Sequence, residues 1–240
     1  MTYKGKKVFV VMPAFNAEKT LEKTFLDLPG GMFDSVILVD DASADKTVQV
    51  AERLRLTVVK HDKNRGYGGN QKTCYQTALK MGADIMVMVH PDHQYDPKFI
   101  PELIEPIVNG EYSAVFGSRL AVRKNALAGG MPKWKFIFNI ILTRIGNFFL
   151  GTALTEFHSG FRAYGKEVFK QIDIERNSDN FVFDTQIIVQ LTDKKIAIKE
   201  IPITTRYFKE ASQIGLGPSI VYGLGILYNI FLYKLKLKKF

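Results

Sequence analysis

The stretch Ile85 to Pro97, IMVMVHPDHQYDP, brings His90, Asp92, His93, Gln94 and Asp96 within seven positions of one another. Imidazole, carboxylate and amide oxygen are the groups that hold divalent cations. In an extended segment alternate residues share one side, so His90, Asp92 and Gln94 are expected to converge on one ion. A single carboxylate with an imidazole and a carbonyl is a weak, open ligand set. It suits Mg²⁺ or Mn²⁺ shared with a phosphate. The plainer alternative is a polar loop in which Asp96 and Pro97 start the next helix.

Three other groups carry chemistry. Arg119 in GSR and Arg162 in SGFR present planar forks that match phosphate, or else form ion pairs that support their loops. Asp184 lies in FVFDTQII at a predicted helix start among apolar neighbours. It reads either as an anion at a helix N-terminus or as a general base. His61 and His158 read as structural.

The elements that position these groups alternate along the first half of the chain. Strands are predicted at Lys7 to Met12, Ser35 to Val39, Leu56 to Lys60, Ile85 to Val89 and Tyr112 to Phe116. Helices are predicted between them, one capped by Asn16 and running through Leu28, with NRGYGG at 64–69 as a glycine-rich turn before another. Repeated units of this kind imply an α/β fold with a mostly parallel central sheet flanked by helices. Pro13 to Asn16, Asp40-Asp41, Asn64 to Gly66 and His90 to Asp92 all follow carboxyl ends of strands. In a parallel sheet those ends share one edge, so four separate clusters become one site. Neither GxxxxGK[ST] nor GxGxxG is present, which argues against an ATPase or a dinucleotide-dependent oxidoreductase.

The chain has 240 residues and a net charge of +9. Between Tyr112 and Thr155 there is no acid but six bases, and from Ala211 to Phe240 there is no acid but four lysines. Both segments are rich in large apolar residues, which suits an anionic membrane surface better than nucleic acid, for which no motif is present. Lys133 to Gly151 repeats Lys135, Asn139, Thr143 and Asn147 as one polar stripe on an otherwise apolar helix. Ile220 to Tyr233 is too short to span a bilayer. These helices are expected to lie in the membrane interface, or to pack on each other or across a homodimer. One cysteine excludes an intramolecular disulfide. The opening residues do not form a signal peptide, so a cytoplasmic, peripheral location is expected.

The runs VVMPAFNAE, VDDASADKT, NRGYGGNQ, HPD, GSR and HSGFRAY, in that order, resemble a family-2 glycosyltransferase of the GT-A fold. The resemblance covers about residues 6 to 210 and is nearest to the branch resembling dolichyl-phosphate mannose synthase. It implies a GT-A domain over 1–212, including an amphipathic acceptor helix at 131–151, and a separate apolar-basic helix at 213–240. It implies that Pro13, Phe15, Asn16, Asp40, Asp41 and Gly66 hold a UDP- or GDP-sugar. Asp92 is the second acid of the family's metal motif, and His90 replaces the first. Arg206 is the implied charge partner of the diphosphate in a closing loop, with Ser212 weaker. Arg119, Arg162, Asn139 and Thr143 fall to the acceptor, where Asn139 stands in place of an arginine, and Glu156 stands where an Asp is common. The resemblance leaves Asp184 as a base or an acceptor-positioning group.

The expected activity is inverting, metal-dependent sugar transfer to a membrane-associated acceptor, a polyprenyl phosphate by resemblance. A saccharide hydroxyl acceptor and a binding module that lost catalysis at His90 are the alternatives. A nucleotidylyltransferase is disfavoured, because PAFNAE occupies the place of its glycine-rich loop.

Overall fold

The computed structural model describes residues 2–207 and 216–235. Its sheet has seven strands: β1 (Val8–Ala14), β2 (Ser35–Asp40), β3 (Thr57–Lys60), β4 (Ile85–Met88), β5 (Ala114–Ser118), β6 (Arg162–Gly165) and β7 (Ile198–Pro202). They lie in the order β3-β2-β1-β4-β6-β5-β7. β1 is parallel to β2 and β4, β2 to β3, and β5 to β7. Only β6 runs antiparallel, against β4 and β5.

β1 and β4 are apolar at nearly every position because both of their faces are covered. Alternation along β1 divides them. Phe9 and Val11 pack with α3 (Gly66–Lys80) and α8 (Phe183–Asp193), whereas Val8, Val10 and Met12 pack with α1 (Leu21–Leu26) and α4 (Ile100–Val108). Each fully buried side chain of this kind contributes about 1.5–3 kcal/mol. The shorter helices α2 (Thr47–Arg53), α5 (Arg123–Ala128) and α7 (Lys166–Phe169) complete the connections.

Two helices close the fold over one end of the sheet. α6 (Lys133–Leu150) packs against α9 (Leu216–Lys234), which buries Ile226 and Ile230 in the same core as α8. The helix at 216–234 is therefore packed onto the sheet domain. The expected boundary at 212 falls outside the described residues, as do Ser212, Lys236, Lys238 and Lys239.

Several local expectations are corrected. Asn16 does not cap a helix: it has φ 51°, its Oδ1 accepts from the Ala44 amide, and α1 begins only at Leu21. The NRGYGG segment is mostly helix, because α3 starts at Gly66. The glycines are needed for close approach. A Cβ on Gly66, whose φ is 82°, would lie 2.5 Å from the Asp179 carbonyl oxygen, and one on Gly68 would lie 2.3 Å from that of Ser178. The segment after β4 is not extended either. It turns at Pro91 and Asp92, Asp92 Oδ1 accepts from the Gln94 amide at 3.0 Å, and His93 has φ 58°.

α6 turns its polar stripe inward. Asn139 and Thr143 are buried and Lys135 is half-buried, while Ile137, Ile141 and Phe148 on the other side are exposed. No helix among the described residues is long and apolar enough to cross a membrane.

Candidate active site

A cavity of about 650 Å³ opens at the carboxyl edge of β1, β2 and β4. The antiparallel β6 contributes to the same edge, since Arg162 pairs with both Met88 and Phe116. GSR, HPD and SGFR therefore meet, although about 70 residues separate the first and last of them in sequence.

On the β1–β2 side Pro13, Phe15, Asn16, Asp41 and Gly66 line the cavity, and Phe15 is 54% exposed at its mouth. Asp41 is committed to the frame. Its Oδ1 accepts from the Arg65 amide at 2.8 Å and lies 2.7 Å from His61 Nδ1, and its Oδ2 accepts from the Gly66 amide at 3.0 Å. Asn70 Nδ2 donates to the carbonyls of Ala14 and Val39 and ties the ends of β1 and β2 together. Asp40 lies behind this wall, not on it. Its Oδ2 accepts from the Ser43 amide, and its buried Oδ1 has no partner among the described residues.

His90, Asp92 and Gln94 all line the cavity, despite the turn that replaces the expected extended segment. The His90 ring stacks on Tyr67 with centroids 5.5 Å apart, and its Nε2 lies 3.3 Å from the Tyr67 hydroxyl. A Cβ on Gly160 would come within 2.4 Å of that nitrogen, so the glycine of SGFR makes room for the imidazole. Burial lowers the His90 pKa to about 4, against the pull of the Asp184 charge, so the ring is neutral at pH 7.

Burial pushes the Asp92 carboxyl up to about 7. Among the described residues it has no ion-pair partner within contact distance, and a cation beside it would supply the missing opposite charge. Asp92 with the Gln94 oxygen thus fits a hard divalent ion. No cluster of three His, Cys, Asp or Glu side chains suited to a metal occurs among the described residues, so most of such an ion's shell would be non-protein.

At the centre Asp184 accepts from the Tyr67 hydroxyl at 2.8 Å through Oδ2 and from Gln71 Nε2 at 3.4 Å through Oδ1, which is also 3.4 Å from Arg162 Nη1. Arg162 itself does not line the cavity. It is 1% exposed, donates to the carbonyls of Phe157, Ser159 and Asp184, and sits 4.3 Å over the Phe116 ring. Its fork is used by the fold, because β6 carries it into the core beneath the loop it braces.

The opposite wall is built by Arg119 and α6. Arg119 donates to Glu156 from its amide and Nε at 2.7 Å each, pairs with it again through Nη2, and donates from Nη1 to the Tyr207 hydroxyl at 3.1 Å. The longer Glu in place of Asp thus holds Arg119 at the cavity edge. Trp134, Lys135, Phe138 and Asn139 of α6 also line the cavity. Asn139 Nδ2 is buried without a partner among the described residues. Lys135 has no carboxylate partner among them, and burial with the neighbouring Arg119 charge lowers its pKa. Thr143 lies deeper and accepts from the Phe157 amide, and Arg144 points to solvent.

Arg206 lies outside the cavity lining. It donates to Asp27 and Asp96 at 3.1 Å each and contacts His93, while its amide donates to the Gln94 carbonyl. Tyr67, Lys135, His158, Phe181 and Tyr222 line the cavity without having been singled out as site residues from sequence. Tyr67 and Gln71 were legible as an i, i+4 pair on one helix face within NRGYGGNQ, Lys135 through the polar stripe of its helix and His158 through the HSGFRAY run; Phe181 and Tyr222 carry no sequence signal. His158 Nδ1 is 3.2 Å from the Tyr222 hydroxyl, and burial, aided by Arg119 and Arg162, lowers its pKa to about 3.

A mostly parallel sheet with one reversed strand, and a cavity walled by acidic, aromatic and basic residues at its carboxyl edge, is the arrangement of the GT-A fold. The glycosyl transferase family 2 model matches residues 9–173, and the chain belongs to that family, whose donors are nucleotide sugars. An uncharacterized protein of Methanocaldococcus jannaschii is 31% identical over 229 residues, covering 95% of this chain and 93% of that protein. The UDP-N-acetylglucosamine–dolichyl-phosphate N-acetylglucosaminyltransferase of Methanococcus voltae is 28% identical, over 96% and 97% of the two chains. Glucosyl-3-phosphoglycerate synthase of Mycobacterium tuberculosis, solved with Mn²⁺, UDP-glucose and phosphoglyceric acid, has the same fold. Its TM-score is 0.75 at 18% identity, over 98% of this chain and 82% of that one.

Proposed function

We propose that this glycosyltransferase moves a sugar, with inversion, from a nucleoside diphosphate donor to the phosphate of a polyprenyl lipid at the cytoplasmic face of a membrane. The observation that carries this reading is the state of Asp184. Its oxygens are taken up by Tyr67, Gln71 and Arg162, so the carboxylate best placed to act as a base is engaged by the protein. A hydroxyl acceptor has to lose a proton in the transition state, whereas a phosphate monoester arrives already anionic. Lys135 and the unpartnered Asn139 Nδ2 on the facing wall suit that anion. The Methanococcus voltae relative, whose name gives dolichyl phosphate as its acceptor, supports the same reading.

In the step itself an oxygen of the acceptor phosphate attacks the anomeric carbon from the face opposite the leaving group. The bond from that carbon to the diphosphate oxygen breaks, and the nucleoside diphosphate leaves with the electron pair. Asp92 and Gln94, with His90 beside them, would hold a Mn²⁺ or Mg²⁺ ion whose charge stabilises the leaving diphosphate. The solved Mycobacterium structures with Mn²⁺ or Mg²⁺ and UDP support a divalent cation. Pro13, Phe15, Asn16 and Gly66 take the base and ribose, with Asp41 holding the Arg65–Gly66 turn in place, and Arg119 the developing charge.

The test offers UDP- and GDP-sugars with Mn²⁺ or Mg²⁺ to a polyprenyl phosphate and, separately, to neutral saccharides. Transfer to the phosphate alone is expected. Transfer only to hydroxyl acceptors would replace this reading, and no transfer to either would leave a binding module.

A further inference from the structure

β3 stops at Lys60, and the next residue, His61, donates its amide to the Asp40 carbonyl at 2.9 Å. This last rung of the β2–β3 ladder sets the His61 ring beside Asp41. Nδ1 lies 2.7 Å from Asp41 Oδ1, and Nε2 lies 2.9 Å from Oγ1 of Thr73 in α3. A carboxylate can only accept, so the hydrogen of the first contact sits on Nδ1. The His61 and Asp41 side chains are 7% and 4% exposed, and His61 does not line the cavity. With both ring nitrogens engaged in the frame, it reaches a ligand only through Asp41. That carboxylate in turn holds the Arg65 and Gly66 amides, and Gly66 lies on the cavity wall. We propose that His61 is a positioning residue for the nucleotide donor, fixing the Asp41 carboxylate so that the Arg65–Gly66 turn keeps its binding shape. The inference rests on the reading that this side of the cavity takes the base and ribose.

The terminal torsion of an aspartate side chain is soft, so its carboxylate needs outside partners to hold one rotation. The Arg65 and Gly66 amides belong to the turn that has to be held, so they cannot serve as its fixed reference. His61 can, because its amide is tied to β2 and its Nε2 to α3. Thr73 completes the reference: its hydroxyl is 3.3 Å from the Gly69 carbonyl and 3.4 Å from Arg65 Nη1. A shift of the turn is felt at once. Gly66 packs so closely on Asp179 that a Cβ on it would lie 2.5 Å from the Asp179 carbonyl oxygen.

The test measures UDP and GDP binding to the full chain by calorimetry with Mn²⁺, beside Tm, for His61→Asn, His61→Gln and His61→Leu. Asn carries an N–H where Nδ1 stands, whereas Gln carries one where Nε2 stands. Affinity is expected to fall about tenfold in the Gln and Leu variants and to stay within about threefold in the Asn variant, the scale of one hydrogen bond to a charged group. In sugar transfer the loss should appear in the donor KM, with kcat at saturating donor unchanged. In an Asp41→Asn background His61→Leu should cost nothing further, because the route runs through that carboxylate. A loss in the Asn variant as large as in the Gln variant, or larger, makes His61 a packing residue and overturns the inference. Unchanged affinity in all three overturns it as well. Where His61→Leu does not fold, the contrast between the two polar variants still decides. If the unaltered protein binds neither nucleotide, the donor reading fails and the inference falls with it.

Discussion

The hydroxyl of Tyr67 donates to Asp184 Oδ2 at 2.8 Å and joins the first turn of α3 to the first turn of α8. The same oxygen of Tyr67 lies 3.3 Å from His90 Nε2, so one phenol links a donor-side loop to the central carboxylate. If Asp184 positions the site and takes no proton, losing this link should weaken the frame more than the chemistry. Tyr67→Phe is expected to lower stability by about 2 kcal/mol, the scale of a hydrogen bond to a charged group. Transfer to a lipid phosphate should stay within tenfold, with an unchanged pH profile. A loss beyond a thousandfold, or a new acidic limb in kcat, would make Asp184 a proton acceptor.

Asp92 is the carboxylate best able to meet a cation among the cavity residues after β4. Asp92→Ala should abolish the part of nucleotide-sugar affinity that depends on Mn²⁺ and leave the metal-independent part in place. Loss of a charged partner from a cation in a partly buried site costs several kcal/mol. Calorimetric titration with and without Mn²⁺ decides it: an unchanged metal-dependent increment removes Asp92 from the ion.

His158 makes the fold sensitive to acid. Its pKa is lowered to about 3 by burial and by Arg119 and Arg162, against about 6.5 in an unfolded chain. Below 6.5 the unfolded state binds the extra proton, so stability falls as pH falls towards 3. Between pH 6.5 and 5 the loss is roughly 2 kcal/mol from this residue. His90, lowered to about 4, acts in the same direction. His158→Gln should make the fall of Tm between pH 7 and 5 visibly shallower. An identical slope in the variant would show that His158 does not titrate this way.

The apolar side of α6 and α9 should meet an anionic membrane surface. Trp134, Ile137, Phe148 and Leu224 are exposed there, with Lys133, Arg144 and Lys234 exposed on the same two helices. Each base near an anionic surface contributes about 1 kcal/mol, screened by salt. Co-sedimentation with anionic vesicles should therefore fall with salt without vanishing. Changing Lys234, Lys236, Lys238 and Lys239 together to Gln should reproduce the effect of high salt. A stable dimer that ignores both anionic and neutral vesicles would assign this face to a subunit interface.

The meeting of separate loops at one sheet edge was legible in the sequence, because parallel strands leave their carboxyl ends no other place to go. The pairing of His90, Asp92 and Gln94 by alternation was not, since β4 stops at Met88 and the chain turns at once. Asn16 has the side chain of a helix cap, yet the Ala44 amide, 28 positions away, claims its oxygen. Periodicity revealed the polar stripe of α6 but carried no sign of its direction. That was decided by the cavity, which gives Lys135 and Asn139 a polar wall to face. Arg162 looked like a phosphate fork because its core partners, three backbone carbonyls, leave no trace in residue types.

The seat of Gly66 and Gly68 under the carbonyls of Asp179 and Ser178 has a mechanical consequence. The Gly68 amide donates to Asp179 O at 2.8 Å, and Lys72 Nζ clamps the Asn177 carbonyl and the Asp179 carboxylate from below. The start of α3 and the segment leading into α8 thus form one rigid bracket. Asp41 is fastened to one end of it through the Arg65 and Gly66 amides, and Asp184 to the other through Tyr67 and Gln71. The bracket works as a ruler: it fixes the spacing between the two carboxylates, through main-chain amides at Asp41 and through the Tyr67 and Gln71 side chains at Asp184.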